Sequence, residues 1–329
     1  MPPQPEPSLS APLGLLDSGT TRTRLRLWDG QHVTWQGERW VGARDVARTG
    51  HPGPLIDALR DLVGQLPAHA RPRQLVCSGM ITSNVGLLEV PHVGVPAGAA
   101  EVACGLRTLE VPGLPPILMI PGIRTPPGPG PDGWHAADVL RGEEVEVFGL
   151  RDVLGLGGPA EFLHLGSHHK LVQVDDRGRV TRTVTSLAGE ALHALSRETI
   201  LASSVPELGE QGTLDPDAWQ DGLRAARRHG VGRALFLVRL GHQLGPLPRA
   251  AAGAFLHGVL AHLTLDVLRG SDSRVPLVLY GHDAQAHLLA GYLRTTTGRE
   301  VRHCDAPCLE EATVRGTLAV LAAAGEPHG

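Results

Sequence analysis

Lysine is almost missing from this chain. Among 30 basic residues only Lys170 is a lysine. Arginine and lysine differ most where a compact point charge must fit a phosphate or carboxylate, so a lysine that persists in an arginine-biased chain is a candidate for a specific task. Cysteine is also scarce: Cys77, Cys104, Cys304 and Cys308 are too few for a disulfide scaffold. Cys304 and Cys308 have His303 beside them but no second ligand pair for zinc, and they read as reduced thiols. There is no long basic run and the formal net charge is −4, which argues against nucleic acid as the main partner. No apolar run approaches the roughly 18 residues of a membrane helix, so no membrane partner is expected. The opening MPPQPEPSLSAP lacks a basic segment followed by an apolar one. It reads as a disordered leader over residues 1–12, and the chain is expected in the cytoplasm.

What is present is a globular composition, 42% hydrophobic over 329 residues, enough for about two domains. The organising stretch is Leu13 to Asp29, LGLLDSGTTRTRLRLWD. An apolar run reaches Asp17, turns at Gly19, Thr20 and Thr21, and continues as an alternating strand with Leu25 and Leu27 on one face and Arg24 and Arg26 on the other. Backbone N–H groups and hydroxyls gathered at such a turn suit a phosphate, and an acid beside it can hold magnesium through water. An ordinary hairpin bend could carry the same residues. A second copy strengthens the phosphate reading: Phe162 to Gly178, FLHLGSHHKLVQVDDRG, repeats the plan with Gly166 and Ser167 at the turn. Two related hairpins half a chain apart indicate a duplicated architecture.

Between them, Leu55, Leu59, Leu62 and Leu66 predict an amphipathic helix, and Gln74 to Cys77 a buried strand. That strand opens into Ser78-Gly79-Met80-Ile81-Thr82-Ser83-Asn84-Val85-Gly86, either a ligand loop or a plain connection. Ile117 to Ile120 reads as another buried strand, and the Pro and Gly content of 121–133 excludes regular structure there. Arg141-Gly142-Glu143-Glu144 opens a further helix. Its acids either stabilise the first turn or supply a general base, with Arg141 holding an anionic substrate. Arg179 to Ser186 predicts a third strand of the second set, ending at Leu187-Ala188-Gly189-Glu190. Val275 to Tyr280 predicts a buried strand that breaks at Gly281-His282-Asp283 into a helix, a common nucleotide-contact unit. His164, His168 and His169 cluster at the second hairpin, without the further ligands a metal site needs.

Together these stretches resemble the sugar-kinase, actin and Hsp70-like ATPase superfamily, and more closely the 2-dehydro-3-deoxygalactonokinase family. The resemblance is carried in order by Asp17 to Thr21 with Arg24, Ser78 to Gly86, Pro91 with Val95 to Gly98, Leu140 to Glu144, Gly166 to Lys170, and Thr183-Val184 through Glu190. Departures occur at Ser18, Leu165, Leu171 and Ala188, where the family has Trp, Pro, Trp and Thr. The resemblance implies an α/β fold of two actin/Hsp70-like (ribonuclease H-like) domains around an interdomain cleft, residues 13–155 and 156–329. It implies ATP and Mg2+ as cofactors and phosphorylation of the 6-hydroxyl of a small sugar acid, 2-dehydro-3-deoxy-D-galactonate; a kinase for another sugar acid or amino sugar, or a non-catalytic sensor, are the rival readings. Asp17 is expected to serve the metal. Gly19, Thr20, Thr21, Gly166, Ser167, His168 and Gly281 are expected at the nucleotide, and Ser83, Asn84, Arg141, Gly189 and Glu190 at the substrate. Catalysis falls to Glu143 as base, with Glu144 as second choice, and to Lys170. A homodimer is left open.

Overall fold

The protein is described by a computed structural model covering residues 12–207 and 213–325, so the expected leader, apart from Pro12, lies outside the described residues. An apolar run followed by an alternating strand dictates the opening hairpin. β1 (Leu13–Ser18) and β2 (Thr23–Trp28) pair antiparallel, with Leu16 opposite Leu25 and Asp17 opposite Arg24. β3 (Val33–Arg39) continues the meander from β2. α1 (Ala43–Thr49) is capped by Asp45, whose carboxylate accepts from Gly42 N–H. α2 (Gly53–Gly64) begins with a proline in its first turn, where the missing N–H has no helical partner to lose. β4 (Gln74–Gly79) then runs parallel to β1. The short elements β5 (Val93–Gly94), α3 (Ala99–Cys104), β6 (Arg107–Leu109), β7 (Ile117–Met119), β8 (Ile123–Thr125) and β9 (Asp138–Leu140) lead into α4 (Glu143–Val153). The main sheet has the order β3-β2-β1-β4-β7-β6. Leu16, Leu25, Leu75 and Cys77 on one of its faces meet Leu55, Leu59 and Leu62 of α2 in a closed core.

After Gly158 the plan restarts. β10 (Ala160–Leu165), β11 (His169–Val174) and β12 (Val180–Ser186) are followed by α5 (Ala188–Arg197), α6 (Pro216–His229), α7 (Val231–Gln243) and α8 (Arg249–Val267). Then come β13 (Leu277–Gly281), α9 (Asp283–Thr297), β14 (Val301–Cys304) and α10 (Ala306–Ala324). The second sheet has the order β12-β11-β10-β13-β14, with β13 parallel to both β10 and β14. A three-strand meander flanked by parallel strands is thus built twice, as the paired hairpins predict.

The chain packs as two compact units. One comprises residues up to Gly158, with Val174–Thr183 and the chain from Pro307 onward; the other comprises Pro159–Gln173 and Val184–Ala306. The sequence reading assigns everything after 155 to a second domain, whereas α10 belongs with the first unit. The reason is a contact that needs glycine on both helices. A Cβ on Gly149 of α4 would lie 1.7 Å from the Ala312 carbonyl oxygen, and one on Gly316 of α10 would lie 1.7 Å from that of Val145. The second unit uses the same device, with Gly222 of α6 against Phe255 and Gly258 of α8 against Trp219, at 2.0 and 1.9 Å.

Three further expectations are corrected. Within 121–133, β8 forms a small sheet with β5 and β9, aided by Pro126, which biases Thr125 toward extended backbone. α8 is, by length and composition, apolar enough to cross a membrane; 67% of that span is buried, and it supplies Phe255, Leu256, Val259 and Leu260 to the core of the second unit. Cys304 and Cys308 are disulfide-bonded, not reduced.

Candidate active site

In the first unit, three chain turns meet at the carboxyl ends of β1 and β4. Gly79, at φ 86°, stands so close to β1 that a Cβ there would lie 2.5 Å from Ser18 O and 3.4 Å from Asp17 Oδ1. Gly142, at φ 112°, faces Gly79 in turn: a Cβ on Gly142 would lie 3.1 Å from the Gly79 Cα. Only glycine accommodates both the positive φ and the approach. The consequence is that Asp17, the loop after β4 and the start of α4 share one point.

The Gly19 to Thr21 turn is held from behind. Gly19 N–H donates to Arg22 O at 2.9 Å, and the carbonyls of Gly19 and Thr20 accept from Ala43 and Arg44 at the start of α1. Ser18 is fully buried, its hydroxyl 2.8 Å from that of Thr23, so this position is structural. Asp17 stays partly open, 3.9 Å from Arg24, which lies 4.0 Å from Glu38 on the next strand.

The three glutamates of α4 are used differently. Glu143 is half-buried and accepts from Arg141 N–H at 3.0 Å. Glu144 is fully buried with both oxygens on Gly142 N–H, at 2.9 and 2.8 Å, and its burial, followed by the charge of Glu143, pushes its carboxyl up to about 7. Glu146, one turn after Glu143, has Oε2 buried without a hydrogen-bond partner. Burial, then the charges of Glu143 and Asp17, raises it well above the usual carboxylate range. Sequence reasoning passed over Glu146, although its three-residue spacing from Glu143 puts both on one helix face.

Arg141 is 9% exposed, and its guanidinium is turned into the protein. It donates to the carbonyl and hydroxyl of Thr82 and to Val90 O, and it faces the His92 ring. It therefore pins the 79–92 loop, a role the sequence does not reveal. On that loop the Ser83 hydroxyl donates to Met80 O at 2.6 Å, while the Asn84 side chain is exposed.

The second unit brings its own candidates together. A Cβ on Gly189 would lie 2.0 Å from Gly166 O, and Glu190 N–H donates to Ser167 O at 2.7 Å, so the first turn of α5 rests on the β10–β11 turn. The ligand turn expected at Gly189 and Glu190 is thus a helix start against the nucleotide candidates. Gly281, at φ 108°, comes within 2.6 Å of Leu165 O by the same measure, and His282 N–H donates to Leu165 O at 2.8 Å. His168 Nε2 lies 3.7 Å from Glu190. Lys170 is 7% exposed on β11, beside His169, whose Nδ1 is 2.7 Å from the Thr264 hydroxyl.

Among the described residues no three His, Cys, Asp or Glu side chains form a metal-holding group. That donor set fits Mg2+ in one way: a single carboxylate, Asp17, with the remaining positions filled by water and nucleotide phosphates, as is usual for this reluctant-to-dehydrate ion.

Turns of this kind at the ends of two α/β sheets of duplicated plan are the fold expected of an actin-like kinase. The fold alone is matched by the Clostridium difficile activator of 2-hydroxyisocaproyl-CoA dehydratase, with TM-score 0.52 and 14% identity over 94% of both chains. A solved Sinorhizobium meliloti structure, described as that of a 2-dehydro-3-deoxygalactonokinase, superposes with TM-score 0.76 and 27% identity over 96% of this chain and 98% of its own. The Escherichia coli K12 2-dehydro-3-deoxygalactonokinase is 28% identical over 74% of this chain and 76% of its own length. The Rhizobium meliloti protein named for the same activity, DgoK1, is 30% identical over 80% and 83%. The 2-keto-3-deoxy-galactonokinase family model matches residues 17–320, and the chain belongs to that family.

Proposed function

We propose that this chain transfers the γ-phosphoryl group of ATP to the 6-hydroxyl of 2-dehydro-3-deoxy-D-galactonate, acting in the cytoplasm, where ATP and sugar acids are both available. The observation that carries the reading is the meeting of Asp17, Gly79 and Gly142 at one point, within a family match spanning residues 17–320. Phosphoryl transfer asks a protein mainly for alignment and charge placement. Bound Mg2+ would neutralise phosphate charge, with Asp17 holding it through water.

Thr20 and Thr21 present backbone and hydroxyl donors to phosphate, on a turn that Gly19 closes through its own N–H. Gly166, Ser167, His168 and Gly281 form the nucleotide side of the second unit, joined by Gly189 and Glu190, and Lys170 supplies the compact cation. Glu143 accepts the proton of the sugar hydroxyl. Its partial exposure favours it over Glu144, whose two oxygens are engaged inside the helix start. Asn84 meets the substrate from an open position, and Arg141 acts through the loop it pins. The test is ADP release from Mg-ATP with 2-dehydro-3-deoxy-D-galactonate, beside 2-dehydro-3-deoxy-D-gluconate and a no-sugar control. Turnover selective for the galactonate is expected; equal silence on both acids from folded protein overturns the reading.

A further inference from the structure

Arg26 is a charge that phosphoryl transfer leaves without a task. It lies on β2 between Leu15 of β1 and Gln36 of β3, on the sheet face that carries Asp17 and Arg24. Only 4% of the residue is exposed. Among the described residues no hydrogen bond, and no ion pair within 4.0 Å, reaches its guanidinium, and the charges that act on it are Asp17 first, then Arg24, Glu310 and Glu146. A guanidinium withdrawn from water in this way is costly unless carboxylates surround it.

Arg26 lines two hollows. The smaller is bounded by Asp17, Ser78, Thr313 and Thr317. The wider, about 220 Å³, is bounded by Arg24, Gln36, Glu38 and Glu310. Nearby, Glu146 Oε2 is buried with no hydrogen-bond partner. A group of acids centred on Asp17 is therefore balanced from inside the protein by two arginines, of which Arg24 is also engaged with Glu38.

We propose that Arg26 is a built-in counter-cation for Asp17, holding in charge the place of a divalent ion while nucleotide is absent. Free Mg2+ then gains little at this carboxylate, because two arginines oppose it, and the metal enters only with the added negative charge of nucleotide phosphates. The inference rests on the reading of Asp17 as the metal-side acid, and it makes Arg26 a positioning residue.

The test needs neither ATP nor sugar, so its outcome is separate from that of the kinase assay. The full chain without nucleotide is melted in millimolar MgCl2 and in KCl of equal ionic strength, which removes simple screening from the comparison. Wild type is expected to show the same Tm in both salts. Arg26→Met is expected to gain at least about 2 °C in MgCl2, within the range that a one kcal/mol binding contribution produces in a large domain. That gain should vanish in Arg26→Met combined with Asp17→Asn. Arg26→Gln, a smaller change that keeps a polar head, serves if the methionine variant does not fold. A wild type that itself gains Tm with free Mg2+, or neutral Arg26 variants that gain nothing, overturns the proposal.

Discussion

Arg141 donates to both the backbone carbonyl and the hydroxyl of Thr82, and its other terminal nitrogen reaches Val90 O at 3.0 Å. One side chain from the turn before α4 thus fixes both ends of the segment that carries Ser83 and Asn84.

Arg141→Lys should consequently act on the sugar acid rather than on ATP. A lysine cannot reach three acceptors in a fixed fork, and a misplacement of about 1 Å in a positioning loop can reduce turnover on the order of 10²-fold. Steady-state kinetics should show a fall in kcat/KM for the sugar acid of that order with KM for ATP nearly unchanged. Equal changes in both would point to a direct phosphate contact instead.

Glu143→Gln and Glu144→Gln should separate catalysis from stability. Loss of a positioned base lowers kcat by roughly 10²–10⁴, and this is expected for Glu143→Gln with Tm unchanged. Glu144 behaves oppositely. Its carboxyl, pushed up to about 7 in the folded state, favours folding below its ordinary range, and that contribution is lost as pH rises through 7. In Glu144→Gln the amide oxygen could still accept from Gly142 N–H without ionising. The glutamine variant should therefore melt at or above wild type at pH 8, with the gain gone at pH 5.

His257 and His169 place a pH dependence of the other sign in the second unit. Both are buried, and desolvation lowers them first, to about 4 and about 3, with neighbouring histidines adding to it. The unfolded imidazole, near 6.5, takes up its proton before the folded one, so stability present at neutral pH is lost as pH falls below 6.5, at about 1.4 kcal/mol per unit for each group. Glu144 and Glu146 offset this in whole-protein melts, so the measurement is a difference. The stability gap between wild type and His257→Gln should move in favour of the variant by about that amount per unit between pH 6.5 and 5.

Gly316→Ala should be far more damaging than its single methyl suggests, since that methyl meets a backbone oxygen at 1.7 Å. Overpacking of this kind costs about 1–3 kcal/mol or more, whereas alanine at Gly64, with nothing within 4 Å in the same unit, should be neutral or slightly stabilising. Denaturant midpoints of the two variants make the comparison.

What could be read in the sequence was whatever rests on local periodicity. Apolar runs gave β1 and β10, alternation gave β2, the leucine stripe gave α2, and the repeat of Gly19 in Gly166 disclosed the doubled sheet plan. The turn glycines were legible because they precede changes of direction. Other features depend on partners distant in the chain. That Arg26 is buried follows from α10 covering its face, and the inward turn of Arg141 from Thr82 and Val90, some 50 to 60 positions away. Alternation placed Arg26 opposite Leu25 but could not say that both faces are covered. Nor could composition tell that the Cys304 and Cys308 thiols are joined.

The return of α10 to the first unit bears on biogenesis. Gly149 and the cavity beside Asp17 wait for Ala312, Thr313 and Gly316, which the ribosome supplies only after all of Pro159–Ala306 has been made. The first unit thus emerges early but unfinished, with one sheet face lacking its helix, and it closes through contacts of very long sequence separation, the kind that fold slowly and leave apolar surface open meanwhile. The nascent chain should draw on holdase chaperones throughout synthesis of the second unit, and a ribosome stalled before α10 should display a protease-sensitive first unit beside a protected second one.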